Sequence, residues 1–249
     1  MSAPIITVAG LTKHFATKRE VVRAVDGVDF AIQPGRTTGL LGGNGAGKTT
    51  TIGMLLGLIV PTAGTIRAFG EDLLAHCHRL LPRMNFSSPY VDFPGRLTVR
   101  ENLTVFAHLY GLRHARARVT AVARDLDLEA LLDRQSVSLS SGQKTRMALA
   151  KALINEPELL LLDEPTASLD PDTGDWVRQF LADYARRSGA AILLASHNMA
   201  EVERLCSDVL MMKAGRIVDR GAPAELVARY GRSTLEQVFL DIARAEAAQ

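Results

Sequence analysis

Cysteine is scarce in this 249-residue chain, which holds two, Cys77 and Cys206. Two lone, distant cysteines build no disulfide framework and point to a reducing compartment. Charge imbalance is small too. A net charge of +2 gives no reason to expect a nucleic-acid partner. Long apolar runs are missing. MLLGLIV (54–60) and LLLL (159–162) fall far short of the roughly 20 residues that a membrane-spanning helix needs. The opening MSAPIITVAG lacks the basic flank and apolar stretch of a signal peptide. Internal repeats, low-complexity segments and long linkers are also lacking. These absences predict a cytoplasmic chain that reaches a membrane only through another, spanning chain. His76 and His78 flank Cys77 and invite a metal reading. Neighbouring ligands on one helix point in different directions, and no second ligand cluster follows, so a structural or solvated role is expected.

Apolar residues make up 47% of the chain and charged residues 22%, ordinary values for a folded domain of this size. The first 40 residues read as short strands joined by turns, with Pro34-Gly35 as one turn signal. A helical pattern starts at Lys48 and runs to about Leu58, ahead of Pro61. TAGTIRAFG (62–70) then reads as a strand. Residues 72–150 are mostly helical in pattern, with Arg-rich polar faces. Beyond them LLLLD, DTGDWVRQFLADYARR, AAILLAS and NMAEVERLC alternate between strand and helix. DVLMMKAGRIVDRG reads as two short strands around Ala214-Gly215. Such alternation predicts a parallel sheet covered by helices.

Gly42, Gly43, Asn44, Gly45, Ala46, Gly47, Lys48 and Thr49 match the G-x-x-x-x-G-K-[ST] loop. Glycines reach positive φ and let backbone N–H groups crowd around an anion. The helix that follows aims its positive end at the same anion. Lys48 is expected on the β- and γ-phosphates and the Thr49 hydroxyl on Mg²⁺. Thr50 extends the nucleotide-binding stretch. A strand pattern before the loop and a helix pattern after it supply the context that the motif requires.

The four leucines 159–162 suggest a strand buried on both faces. It would deliver Asp163 and Glu164 to the C-terminal edge of the sheet, where ligands bind in open α/β folds. Asp163 is the expected Mg²⁺ partner, through water. Glu164 can polarise an attacking water, a role worth typically ~10²–10⁴-fold in rate. The alternative for Glu164 is a cap on the turn before Pro165.

With these motifs the chain resembles the ATP-binding cassette (ABC) ATPase family over residues 5–230. LSSGQ (139–143) is similar to the family signature LSGGQ, and SLD (168–170) to the D-loop. His197 resembles the switch histidine, and Phe15 lies where the family places an aromatic on adenine. The resemblance implies an α/β fold: a phosphate-loop (RecA-like) ATPase core, an N-terminal antiparallel β subdomain and an inserted α-helical subdomain. It divides a single domain into a core (1–86 and 151–230), a helical subdomain (87–150) and a tail (231–249). It also implies that Ser140, Ser141, Gly142 and Gln143 form a second phosphate-recognising helix start, with the helix from about Gln143. That site would serve a second molecule in a head-to-tail homodimer or heterodimer, with Asp170 near the shared nucleotide. Glu164, His197 and Lys48 become the catalytic group. A simple N-cap at Ser140 is the alternative reading of this helix start.

Three departures from the family stand out. Ser141 replaces a glycine, which is tolerated where φ is negative. Gly43 replaces a bulkier residue, which would loosen the loop. The glutamine expected in the stretch 83–103 is missing, and Ser87, Ser88 or Pro89 takes its place.

The resemblance implies an ATPase subunit of a transporter, using ATP and Mg²⁺, bound peripherally through a separate permease on the cytoplasmic face of the membrane. The segments 97–103 and 233–244 look like those of export-type members. The alternative is an ABC ATPase acting on ribosomes or nucleic acid. Arg113, Arg116 and Arg118 could serve it, although a solvated helix face explains them. A phosphate-loop GTPase or kinase is disfavoured, because no N-K-x-D element occurs.

Overall fold

The computed structural model describes residues 3–16, 20–88, 92–167 and 169–244. In chain order the elements begin with β1 (Ile6–Ala16), β2 (Val21–Ile32), β3 (Thr37–Leu41) and α1 (Lys48–Leu55). There follow β4 (Ala63–Ala68), β5 (Glu71–Asp72), α2 (Cys77–Leu80) and β6 (Met84–Ser87). Helices α3 (Val99–Leu109), α4 (Ala115–Asp125) and α5 (Ser141–Leu153) come next. Strand–helix alternation then runs through β7 (Leu159–Asp163), α6 (Pro171–Ser188), β8 (Ala191–Ser196) and α7 (Met199–Leu205). The chain continues with β9 (Asp208–Lys213), β10 (Arg216–Gly221), α8 (Pro223–Arg229) and α9 (Leu235–Arg244).

Two sheets organise these elements. The first is antiparallel, in the order β2-β1-β4-β5. The second has the order β10-β9-β3-β8-β7-β6 and is parallel except at β10. It is the central layer. Strand β7 is buried along its whole length and divides its leucines between two cores. Leu159 and Leu161 face α1 and the antiparallel sheet, whereas Leu160 and Leu162 face the helices α3 to α9. The period of two in a strand explains this division. Continuous leucines satisfy it because both faces are dry.

Helix ends follow local chemistry. Helix α1 stops at Leu55, short of the Leu58 expected from the pattern. Gly57 takes φ +67°, and the Leu58 N–H returns to the Gly53 carbonyl at 2.9 Å, a Schellman-type end. Helix α3 starts with a reciprocal capping box between Thr98 and Glu101. Within the mainly helical stretch 72–150, Met84–Ser87 is a strand at the edge of the parallel sheet, paired with β7. Arg118 is not a free basic group: its guanidinium donates to the Leu153 and Ile154 carbonyls at the end of α5 and pairs with Glu156. Arg113 and Arg116 are exposed.

Candidate active site

The loop 42–49 joins the end of β3 to the start of α1. Two of its glycines are required by close approach. A Cβ on Gly42 would sit 2.5 Å from the Met212 carbonyl oxygen, and one on Gly47 would sit 2.4 Å from that of Ala24. Gly47 also holds φ +106°. The Lys48 side chain is buried and curls back over the loop, donating to the Gly42 carbonyl at 2.7 Å and the Gly43 carbonyl at 3.3 Å. Asn44, Gly45 and Thr49 are exposed, Thr50 is half-buried and Ala46 is buried. Gly43 borders the ring of Phe239 on α9, which lies 4.0 Å from the position of a Cβ. The C-terminal helix therefore packs beside the loop that the missing side chain leaves open.

Above the loop lies a cleft of about 400 Å³, lined by residues 43–50, by Val22, Arg23 and Ala24 of β2, and by Asp163 and Glu164. Phe15 is not among the lining residues; it is 40% exposed and pairs across β1 and β2 with Val22, which does line the cleft. The Lys13 ammonium lies 5.1 Å from the Phe15 ring centroid.

Asp163 ends β7 and is buried. The Thr49 hydroxyl donates to its Oδ2 at 3.1 Å. Burial pushes the Asp163 carboxyl above its ordinary pKa, the Thr49 hydrogen bond and the Lys48 charge oppose this, and the Glu164 charge adds to it. A buried carboxylate beside a threonine hydroxyl is an oxygen donor set that suits a hard divalent cation.

Glu164 has φ +53°, uncommon for a residue with a side chain. Its N–H donates to the Ala195 carbonyl at 2.8 Å, which pins the turn to β8. Its Oε1 lies 2.7 Å from Nδ1 of His197, just past the end of β8. The loop lysine, Thr49, Asp163, Glu164 and His197 thus meet at one edge of the parallel sheet.

The stretch 140–143 is elsewhere. None of its residues lines the Lys48 cleft. Ser140 caps α5, which begins at Ser141, two residues earlier than expected. Its hydroxyl accepts from the Gln143 N–H at 3.3 Å, and Gln143 Oε1 accepts from the Ser140 N–H at 3.0 Å. The cap expected at Ser140 is therefore present, and Gln143 shares in it. Ser141 is exposed and keeps negative φ, as its replacement of glycine requires. Gly142 faces Thr173, whose Oγ1 would be 3.1 Å from a Cβ. The exposed Asp170 caps α6 by accepting from the Thr173 N–H at 2.9 Å. The starts of α5 and α6 therefore touch.

Ser87 ends β6 and is buried with Ser88. Both line a second cleft, of about 710 Å³, together with Phe93, Ser141, Lys144 and Ala167 among others. Pro89, and Ser168 of the SLD motif, lie outside the described residues. The buried Glu201 and the half-buried Lys151 are among the polar groups that escaped the sequence reading. Glu201 sits behind the Glu164 and His197 loops, and Lys151 ties α5 to β6. A buried acid or lysine at helical spacing carries no signal that separates it from a solvated one.

The ABC transporter family pattern matches residues 25–167, more than half of the chain. A Nod factor export ATP-binding protein I of Ralstonia nicotianae is 39% identical over 242 residues, covering 96% of this chain and 74% of that protein. The protein of the same name in Paraburkholderia xenovorans is 42% identical over 206 residues, 82% of this chain and 67% of that one. Among solved structures, an ATP binding subunit of an ABC transporter superposes with a TM-score of 0.81 at 26% identity, over 96% of this chain and 99% of that one. The cbiO1 protein of Clostridium perfringens, described as part of the ABC transporter complex cbiONQ, gives 0.81 at 29% identity over 92% of each chain. Family pattern, close relatives and fold agree with the arrangement of loop, acids and histidine: the chain belongs to the ABC transporter family, as a subunit that binds and hydrolyses ATP.

Proposed function

We propose that this subunit powers export through a separate membrane permease, hydrolysing ATP at the Lys48 cleft. The observation that carries the catalytic reading is the 2.7 Å contact of Glu164 with His197 at the edge of a cleft floored by the phosphate loop. Export is supported by the names of the relatives, Nod factor export ATP-binding proteins. A separate permease is supported by the place of cbiO1 in a larger transporter complex. Among the described residues no helix is long and apolar enough to cross a membrane. The subunit would then sit peripherally, on the cytoplasmic face.

In this reading the N–H groups of 43–49 and the α1 N-terminus cradle the phosphates. Lys48 exchanges its carbonyl partners for phosphate oxygens, and Phe15 stacks on the base. Thr49 and Asp163 fit Mg²⁺, which supplies charge neutralisation on the β- and γ-phosphates. Glu164 orients a water toward the γ-phosphorus and receives its proton as the bond to the ADP oxygen breaks. His197 fixes the Glu164 carboxylate from one side. The products are ADP, inorganic phosphate and a proton.

The exposed start of α5 serves a second molecule. Ser140 and Gln143 act as acceptors in their capping box, which leaves the Ser140 O–H and the Gln143 amide N–H groups as donors; with the Ser141 hydroxyl and the N–H groups of Ser141 and Gly142 they serve a γ-phosphate. By helix geometry, N–H groups of a first turn lack intrahelical acceptors. The D-loop residue Asp170 stands beside this surface. Each such helix-end contact is worth about 0.3–2 kcal/mol. Residues 87–150 act as the helical subdomain between a core of 1–86 and 151–230 and a tail of 231–249, and the 710 Å³ cleft bordered by Ser87 and Ser88 receives a cytoplasmic segment of the permease.

The deciding experiment is Glu164→Gln in the full chain. It is expected to bind ATP, to stop turning over and to accumulate as an ATP-loaded dimer in sedimentation. Wild-type turnover by this variant removes Glu164 from the chemistry. A monomer at saturating ATP removes the shared site from the isolated subunit.

A further inference from the structure

Glu201 is 1% exposed, and the catalytic reading has no use for it. An acid carboxylate in such a place costs free energy unless its oxygens are bonded. Both are. Oε1 accepts from the Thr166 hydroxyl at 2.9 Å, and Oε2 accepts from the fully buried Ser196 hydroxyl at 2.7 Å. Burial pushes the carboxyl above its ordinary pKa, the two hydroxyls pull it down, and the nearby Glu164 charge raises it again.

The two hydroxyls belong to different segments, the turn after β7 and the last residue of β8. Thr166 lies in the turn 164–167, which the Ala167 N–H closes on the Glu164 carbonyl at 3.0 Å. Ser196 is the residue before His197. Asn198, the residue after it, is held from both directions: its N–H donates to the Ser196 hydroxyl at 3.0 Å, and its Oδ1 accepts from the Glu201 N–H at 3.2 Å. His197 is thus bracketed by two residues that hang from Glu201. Glu164 is joined to the same carboxylate through Thr166.

We propose that Glu201 is a positioning residue for hydrolysis, whose buried carboxylate bridges the Glu164 turn and the His197 loop and so sets the geometry of that pair. The proposal rests on the reading of Glu164 and His197 given above. Both side chains project from strained or exposed loop positions: Glu164 stands at φ +53°, and the His197 side chain is 64% exposed. Neither loop is held there by the packing of its functional side chain alone. A bridge with one bond to each side adds to the Glu164 N–H bond on the Ala195 carbonyl, and its loss leaves the pair held by that bond and their own contact, with more room to drift. Nucleotide contacts made by residues 43–50 are untouched by this drift, so the effect falls on turnover and not on binding.

The test compares Glu201→Ala, Glu201→Gln, Thr166→Val and the Thr166→Val/Glu201→Ala double variant in the full chain, with Glu164→Gln alongside. Glu201→Ala is expected to lower kcat roughly tenfold to a hundredfold, the scale of loss for a misplaced reacting group. The KM for ATP and the affinity for a fluorescent ATP analogue should stay at wild-type values. Glu201→Gln should recover most of the rate, since its amide offers one acceptor and one donor to two hydroxyls that can play either part. The double variant should be no slower than Glu201→Ala, because both changes remove the same bridge. A Glu201→Ala enzyme that loses thermal stability but keeps wild-type kcat per folded molecule overturns the proposal. So does a fully additive double variant. Should Glu201→Ala fail to fold, Thr166→Val decides alone: wild-type kcat overturns the bridge, and a reduced kcat with unchanged KM supports it. Wild-type turnover by Glu164→Gln would instead overturn the underlying reading of Glu164, whereas an inactive Glu164→Gln beside a full-speed Glu201→Ala overturns only the bridge.

Discussion

His197 meets Glu164 through Nδ1 at 2.7 Å, although the two residues come from different strand ends, Asp163 of β7 and Ser196 of β8. These strands are neighbours in register, with Asp163 opposite Ala195. The contact uses one ring nitrogen of a side chain that is 64% exposed. Removing the ring leaves the Glu164 carboxylate without its lateral partner while the phosphate loop stays whole. His197→Ala is therefore expected to lower ATP turnover by about 10²-fold or more, with the KM for ATP changed little. Steady-state kinetics on the full chain check this. A rise in KM with kcat preserved would assign His197 to binding instead.

The buried pair Ser87–Ser88 stands where the resemblance leads one to expect a glutamine. Ser87 closes β6, and both serines line the cleft that also touches Ser141 and Ala167. A serine is shorter than glutamine by two carbons of reach, so in the proposed reading a serine or a water takes over the contact that the glutamine would make. Ser88→Gln is expected to lower the Mg²⁺ concentration needed for half-maximal ATPase activity severalfold, a change of about 1 kcal/mol for a fivefold shift. Titration of Mg²⁺ at saturating ATP measures it. An unchanged Mg²⁺ dependence would mean that this position carries no mechanistic weight in this chain.

These residues also mark how far the sequence speaks for the structure. The strand β7 is legible because four leucines in a row have one economical solution, a strand with two dry faces. The phosphate loop is legible because close approach of Gly42 and Gly47 to other backbone leaves no alternative residue. The end of α1 is not, since Gly57 can be helical or left-handed and tertiary packing decides. At the start of α5, Ser140 and Gln143 do stand at the spacing of a capping box. The capping box uses the acceptor oxygens of both side chains and leaves their donors for the phosphate that the family resemblance implies. Glu201 is illegible for a different reason. Its partners Thr166 and Ser196 come from other elements, so no period or motif connects them.

Lys151 yields a prediction in stability rather than rate. It lies on α5, ten residues after Ser141, and its ammonium donates to Asn85 Oδ1 at 3.1 Å and to the Phe86 carbonyl at 2.9 Å. The Phe106 ring lies 5.6 Å away. Burial lowers its pKa from 10.5 to about 8. In the unfolded chain the ammonium keeps its proton to the ordinary value. Between pH 8 and 10.5 the unfolded chain therefore binds more protons, and stability contributed by this group rises with pH. The contribution is fully present above the unfolded value and is lost as pH falls through about 8. The shift corresponds to about 3 kcal/mol across the window. Lys151→Met removes this titration, so the difference in unfolding free energy between wild type and variant should move in favour of wild type from pH 7.5 to pH 10. Denaturant unfolding at several pH values checks it, with other groups cancelling between the two proteins. Parallel curves over that range would mean that Lys151 titrates as a solvated lysine, and that its ties to Asn85 and Phe86 hold the charge at no cost.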